Sequence, residues 1–230
     1  MRQLFSIMLV LWMSKPGFSQ NYEELRQKMV REQIENRGIH DRATLKAMRK
    51  VERHLFVPPK FQQHAYDDSP LLIGYNQTIS QPYIVAYMTQ MLQPKEGNRI
   101  LEVGTGSGYQ AAVLAEIVDK VYTIEIVKEL GDKAKKLLHQ LGYNNVEVII
   151  GDGYQGLASQ APFDGIIVTA AADQIPPPLI RQLKEGGRMV IPIGSPSSVQ
   201  TLMLITKRNG KIFQREMSPV RFVPFTRDKD

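Results

Sequence analysis

From Arg99 onward, short apolar runs alternate with helical stretches, and this alternation limits the possible folds more than any other feature of the chain. The runs are RILEV (99–103), VYTIE (121–125), VEVIIG (146–151), GIIVT (165–169) and GRMVIPI (187–193). Each is nearly continuous in apolar residues, which predicts strands buried on both faces. Helical segments of about ten to fifteen residues separate them, so the strands are expected to lie parallel with right-handed crossovers. The last runs differ: TLMLITK (201–207) and KIFQ (211–214) meet across Asn209 and Gly210, a hairpin-turn pair. The expected class is α/β, with a mostly parallel central sheet that ends in an antiparallel C-terminal edge.

The segment before the sheet reads as a helical extension. YEELRQKMVREQIENRGI places Leu25, Met29, Val30 and Ile34 at helical spacing, with Gly38 as the stop. Asp41 can cap a second helix, DRATLKAMRKV, and the prolines of VPP (57–59) end that region. No repeat or long linker divides the chain, so residues 21–230 are expected to form a single domain whose helical region, 21–95, meets the substrate. Residues 1–20 stand apart, with a basic start, an apolar run from Leu4 to Met13 and small residues at Gly17 and Ser19. That pattern fits a cleaved signal peptide. It equally fits a disordered leader or an upstream start, and the run is too short to span a bilayer.

Composition removes several chemistries. The chain has no cysteine, which excludes disulfides, thiolate nucleophiles and cysteine-ligated metals. Its four histidines, His40, His54, His64 and His139, lack metal-ligand spacing, so no metal is expected. The net charge is +6, or +4 without Arg2 and Lys15 of the leader, and contains no polybasic block. This mild excess suits an anionic ligand without indicating nucleic acid.

The stretch LEVGTGSGYQAAVLAEI (101–117) follows the first strand. Gly104, Gly106 and Gly108 allow a sharp turn and close approach to a ligand, and the helix beyond offers free amides and a positive dipole end. Glu125, about twenty residues on, is placed to accept hydrogen bonds from ribose hydroxyls. A dinucleotide or S-adenosylmethionine (AdoMet) fits this much. The spacing separates them, because a dinucleotide fingerprint needs a third glycine where this chain has Tyr109. Glu102 disfavours a pyrophosphate but suits the ammonium end of a methionine moiety. Asp152, in GDGY (151–154), can accept from an adenine amino group while the Gly153 amide meets the ring; Asp152 can also cap the following turn.

The fourth strand ends in VTAAADQIPPP (168–178), small and mostly apolar, with no candidate base. A nucleophile that arrives ionised, such as a carboxylate, suits such a lining, since the protein then has only to desolvate and align it. The segment GYNQTISQPY (74–83) carries hydroxyls, Thr78 and Ser80, that can orient a carboxylate by donating to it. Ser80 can also cap the helix SQPYIVAYMTQML, in which Ile84, Val85, Met88 and Met91 face inward, and one hydroxyl can serve both roles.

Taken together, QTISQPY (77–83), LEVGTGSGYQ (101–110), GDGY (151–154), PFDGIIVTAA (162–171), LKEGGRMVIPIG (183–194) and VRFVPF (220–225) resemble the bacterial type of protein-L-isoaspartate O-methyltransferase. The likeness covers nearly everything after Tyr22. It implies a Rossmann-like class I AdoMet-dependent fold and methyl transfer to the α-carboxyl of L-isoaspartyl, and more weakly D-aspartyl, residues in damaged proteins. The methyl ester then allows spontaneous succinimide closure and partial return to aspartate. It further implies Ser80 as the active-site residue, cofactor contacts from Gly104, Gly106, Gly108, Glu125, Asp152 and Gly153, and substrate contact near Val223 within VRFVPF; as a plain alternative, that motif is an edge strand. Where some relatives carry alanine and histidine after the serine, this chain has Gln81 and Tyr83. AdoMet is made in the cytoplasm, which favours a cytoplasmic protein; a functional leader would instead mean a periplasmic or secreted one. A monomer is expected, without nucleic acid or stable membrane association. Methylation of RNA or of a small molecule is the alternative reading of the same fold.

Overall fold

A computed structural model describes residues 21–195 and 197–227, so the leader expected over 1–20 lies outside the described residues. The chain opens with helix α1 (Tyr22–Met29), whose Asn21 cap accepts from the Glu24 amide. A π turn (Val30–Ile34) and a 3-10 turn (Glu35–Arg37) continue it to Gly38, which ends the run in the left-handed conformation. Helix α2 (Arg42–Lys50) starts at Asp41 as the sequence predicts, with the Asp41 carboxylate accepting from the Thr44 amide at 2.8 Å. A short hairpin that the sequence reading does not anticipate follows, β1 (Leu71–Gly74) and β2 (Gln77–Ile79).

Helix α3 (Pro82–Leu92) then leads into the sheet strand β3 (Arg99–Val103). Pro82 occupies the first helical position, where its missing N–H costs nothing. Gln81 is therefore the N-cap, and no side chain caps the helix. Of the two roles open to Ser80, capping is not realised: the proline moves the start of the helix beyond the reach of that hydroxyl. Val85, Met88 and Met91 are buried as expected, while Ile84 is only half-buried.

The remaining elements alternate as α4 (Tyr109–Ala115), β4 (Lys120–Glu125), α5 (Lys128–Gln140), β5 (Val146–Ile150), β6 (Phe163–Val168), α6 (Pro177–Gln182), β7 (Leu183–Ile193), β8 (Gln200–Arg208) and β9 (Lys211–Val220). Strands pair in the order β5-β4-β3-β6-β7-β8-β9. The first five run parallel; β8 and β9 pair antiparallel, joined through Asn209 and Gly210, both at positive φ. Alternate residues of β3 feed two cores. Ile100 joins the cluster formed with the N-terminal helices, α3 and α4, whereas Leu101 and Val103 join Ile166, Val168 and Leu179 on the opposite face. One predicted strand departs from burial on both faces. The edge strand β5 is only partly covered, and Ile150 is 41% exposed because no further strand pairs beyond it.

The chain leaves β3 in both directions, with β4 on one side and β6 on the other. Strand order reverses there, so the carboxyl ends of β3, β4 and β6 open a crevice. Among the described residues no helix is long and apolar enough to cross a membrane.

Candidate active site

The crevice is a cleft of about 550 Å³ including its open mouth, lined by Thr78, Gly104, Gly106, Glu125, Gly153 and the stretch Val223 to Thr226, among others. A recess reached past Thr78, Gly104, Gly106 and Thr169 adds Ser80, Glu102, Ser107, Tyr109 and Gln110. The sequence-predicted residues thus converge at the switch point, with two exceptions that the geometry explains.

Gly104 has φ +100° and turns the chain out of β3. A Cβ there would stand 2.4 Å from Thr169 Oγ1, because the Thr169 hydroxyl reaches across from the end of β6 to the Gly104 carbonyl at 2.7 Å. Glycine is required on both counts. Gly106 is also left-handed, and its amide donates to Glu125 Oε2 at 2.7 Å. Gly108 is the first exception. It too is left-handed, but its missing Cβ faces Leu138 at 3.1 Å and Ala134 at 3.5 Å, so it seats α4 against α5 and is absent from the cleft lining. The side chain of Tyr109 is fully buried, edge-to-face with Phe56 and under the Arg53 guanidinium at 4.9 Å. It ties the glycine turn to the N-terminal helical layer.

Glu125 is buried at the end of β4 with each carboxylate oxygen accepting one backbone amide, Gly106 at 2.7 Å and Val127 at 2.9 Å. Two fixed donors hold it facing the cleft, and each oxygen keeps a further lone pair for a diol. Glu102 is more unusual. It is fully buried, one oxygen accepts from Thr123 Oγ1 at 2.6 Å, and the other has no partner among the described residues. Burial pushes its carboxyl up from 4.5 to about 8, opposed by the Thr123 hydrogen bond and aided slightly by the nearby Glu125 charge. An orphaned carboxylate oxygen at a recess wants a cation or a donor. An ammonium group supplies both.

Asp152 is the second exception. Its Oδ1 accepts from the Tyr154 amide at 2.9 Å, which is the cap expected from the sequence, but Oδ2 pairs with Arg227 Nε at 2.7 Å. Asp152 stands behind the lining, and its neighbour Gly153 fronts the cleft. A Cβ on Gly153 would lie 2.3 Å from Val103, so the backbone there forms part of the wall. The zwitterionic, diol-bearing AdoMet matches this set of groups: an orphan acceptor at Glu102, a fixed carboxylate acceptor at Glu125 and a backbone wall at Gly153.

Ser80 is half-buried, and its hydroxyl has no hydrogen-bond partner among the described residues. Thr78 lies on β2 and borders both cleft and recess. Val223 lines the cleft, and its carbonyl accepts the Ala171 amide at 2.8 Å. The sequence reading places Thr169 and the motif holding Phe225 near the site but misses Arg227 and the pairings that all three make. They act through pairings 65 to 75 positions apart or through backbone bridges, which leave no local signature.

A reversed strand order, a glycine turn at its switch point and a buried acid at the end of the neighbouring strand define a Rossmann-like class I AdoMet-dependent methyltransferase. Residues 23–230 match the family described as Protein-L-isoaspartate(D-aspartate) O-methyltransferase. A protein-L-isoaspartate O-methyltransferase of Opitutus terrae is 54% identical over 226 residues, 98% of this chain and 97% of its own. Among solved structures, a protein-L-isoaspartate O-methyltransferase superposes with a TM-score of 0.78 at 29% identity, over 88% of this chain and 65% of the other. One from Plasmodium falciparum, in complex with S-adenosyl-L-homocysteine, gives 0.76 at 28% identity over 90% and 99% of the two chains. The chain belongs to the protein-L-isoaspartate O-methyltransferase family.

Proposed function

We propose that the chain repairs damaged proteins by methylating isoaspartyl carboxylates, with Ser80 orienting the acceptor and Glu102, Gly104, Gly106, Glu125 and Gly153 holding AdoMet. The observation that carries the assignment of roles is the pairing of a free hydroxyl at Ser80 with the absence of a usable base in the same recess. Among the described residues, the titratable side chains that line the cleft and recess are Glu102, Glu125 and Tyr109. Glu125 is committed to two amides, and burial pushes the Tyr109 phenol upward, so that it stays protonated. Glu102 lies beneath the glycine turn, where its free oxygen serves an ammonium. An acceptor that enters already ionised needs none of them as a base.

When bound, AdoMet supplies an electrophilic methyl group. Ser80 donates its hydrogen to the acceptor carboxylate and fixes its orientation; Thr78, beside it on β2, borders the same path. The stretch Val223 to Thr226 covers the cleft and limits water. Asp152, held behind Gly153, supports the adenine end through its neighbour's backbone, and Gly108 acts by seating α4. The protein works as a monomer on peptide segments, in the cytoplasm where AdoMet is available, and without nucleic acid.

The test pairs two peptides that differ only in an isoaspartyl or an aspartyl linkage. Labelled AdoMet should mark the isoaspartyl peptide and spare its isomer; equal labelling refutes the assignment. Ser80→Ala should lower kcat strongly while AdoMet affinity and Tm stay near wild type, because the hydroxyl holds nothing within the fold. A matching fall in Tm would return Ser80 to a structural role.

A further inference from the structure

We propose that Arg227 is a positioning residue that clasps the C-terminal segment over the cofactor cleft and sets the rate at which nucleoside leaves. The inference rests on the reading of the cleft as an AdoMet site, and it concerns a residue two positions beyond the VRFVPF motif. Val223, Pro224, Phe225 and Thr226 form one wall of the cleft. From Val223 to Phe225 this strap is tied by backbone bonds, the Ala171 amide to Val223 O and the Phe225 amide to Ala171 O, both at 2.8 Å, which leaves Thr226 as its far end. Those bonds fix the strap to the end of β6. They do not hold its far end.

Arg227 does that with one planar group used twice. Its edge donates from Nε to Asp152 Oδ2 at 2.7 Å, and its face stacks on Tyr154 at 3.7 Å from the ring centroid. Tyr154 in turn meets Phe225 edge-on at 6.4 Å. The Asp152 side chain is 15% exposed and that of Arg227 43%, so the carboxylate is partly shielded while the pair stays within reach of salt screening. Because Asp152 is also the cap of the turn that carries Gly153, the clasp joins the strap to the wall where the adenine end is expected. Val223 to Thr226 form one wall of the cleft, so a ligand there leaves more readily when that far end lifts.

The experiment measures release of S-adenosyl-L-homocysteine from the full chain by stopped-flow displacement, in wild type, Arg227→Ala and Arg227→Lys. The expected result is release on the order of five-fold faster in Arg227→Ala, from the combined loss of ion pair and stacking. Arg227→Lys keeps the charge but not the planar stack and should fall between. Salt near 1 M, where the screening length is about 3 Å, should speed release from wild type and leave Arg227→Ala unchanged. A purely structural arginine would not give that difference in salt response. Equal release rates in wild type and Arg227→Ala, or slower release from the variant, overturn the clasp while leaving the cofactor site intact. A wild type that binds no S-adenosyl-L-homocysteine at all overturns both.

Discussion

Replacing Glu102 by glutamine should stabilise the ligand-free fold at neutral pH, and the structure gives the size of the effect. The carboxyl is fully buried, one oxygen is unpaired, and its folded value is raised from 4.5 to about 8. The folded state therefore holds this proton more tightly than the unfolded chain. Stability from the group is complete below pH 4.5 and is lost as pH rises toward 8, at about 1.4 kcal/mol per unit. At pH 7 the loss is about 3 kcal/mol, a large share of a typical 5–15 kcal/mol total. Glutamine keeps the shape, accepts the Thr123 hydroxyl and never ionises, so the variant escapes that loss. Urea unfolding at pH 5, 7 and 8.5 should show a stability gap between variant and wild type that widens with pH and levels off above pH 8. On the proposed role of Glu102 the cost falls on binding: the ammonium end of AdoMet would lose its charge partner, and affinity should fall at least tenfold at pH 8. Parallel stability curves for the two proteins across this range would refute the reasoning, since they would mean that Glu102 does not hold its proton in the fold.

Gly104→Ala should lose roughly 1–3 kcal/mol and most AdoMet affinity, because the new Cβ meets Thr169 Oγ1 at 2.4 Å in a left-handed conformation. Gly142→Ala is the control: φ is +82° but nothing lies within 4 Å, so it should show strain alone and a smaller shift in the urea midpoint. Asp41→Ala removes the cap of α2 and should cost about 1 kcal/mol in chemical unfolding without changing the AdoMet dissociation constant. Phe163→Ala, at a fully buried ring beside Tyr122, should cost about 3–5 kcal/mol and lower Tm markedly.

Which parts were legible follows from the range of the forces involved. The sheet was readable because burial on both faces demands long apolar runs, and every predicted strand from Arg99 onward appears in the fold. The β1–β2 hairpin was not, because its strands are three and four residues long and its turn is made by Tyr75 and Asn76 at positive φ rather than by a glycine pair. The choice between the two roles of Ser80 could have been narrowed from local rules: a proline at the first helical position makes the residue before it the cap, which is Gln81. The three glycines of the loop look equivalent as letters, yet only the packing of α5 reveals that Gly108 faces away from the cleft. For Glu102 the sequence supplied a ligand partner, and the fold adds a condition. A carboxyl with one unpaired oxygen beside the glycine turn makes the fold less stable as pH rises, so a cation that bound there should stabilise the fold and the turn together.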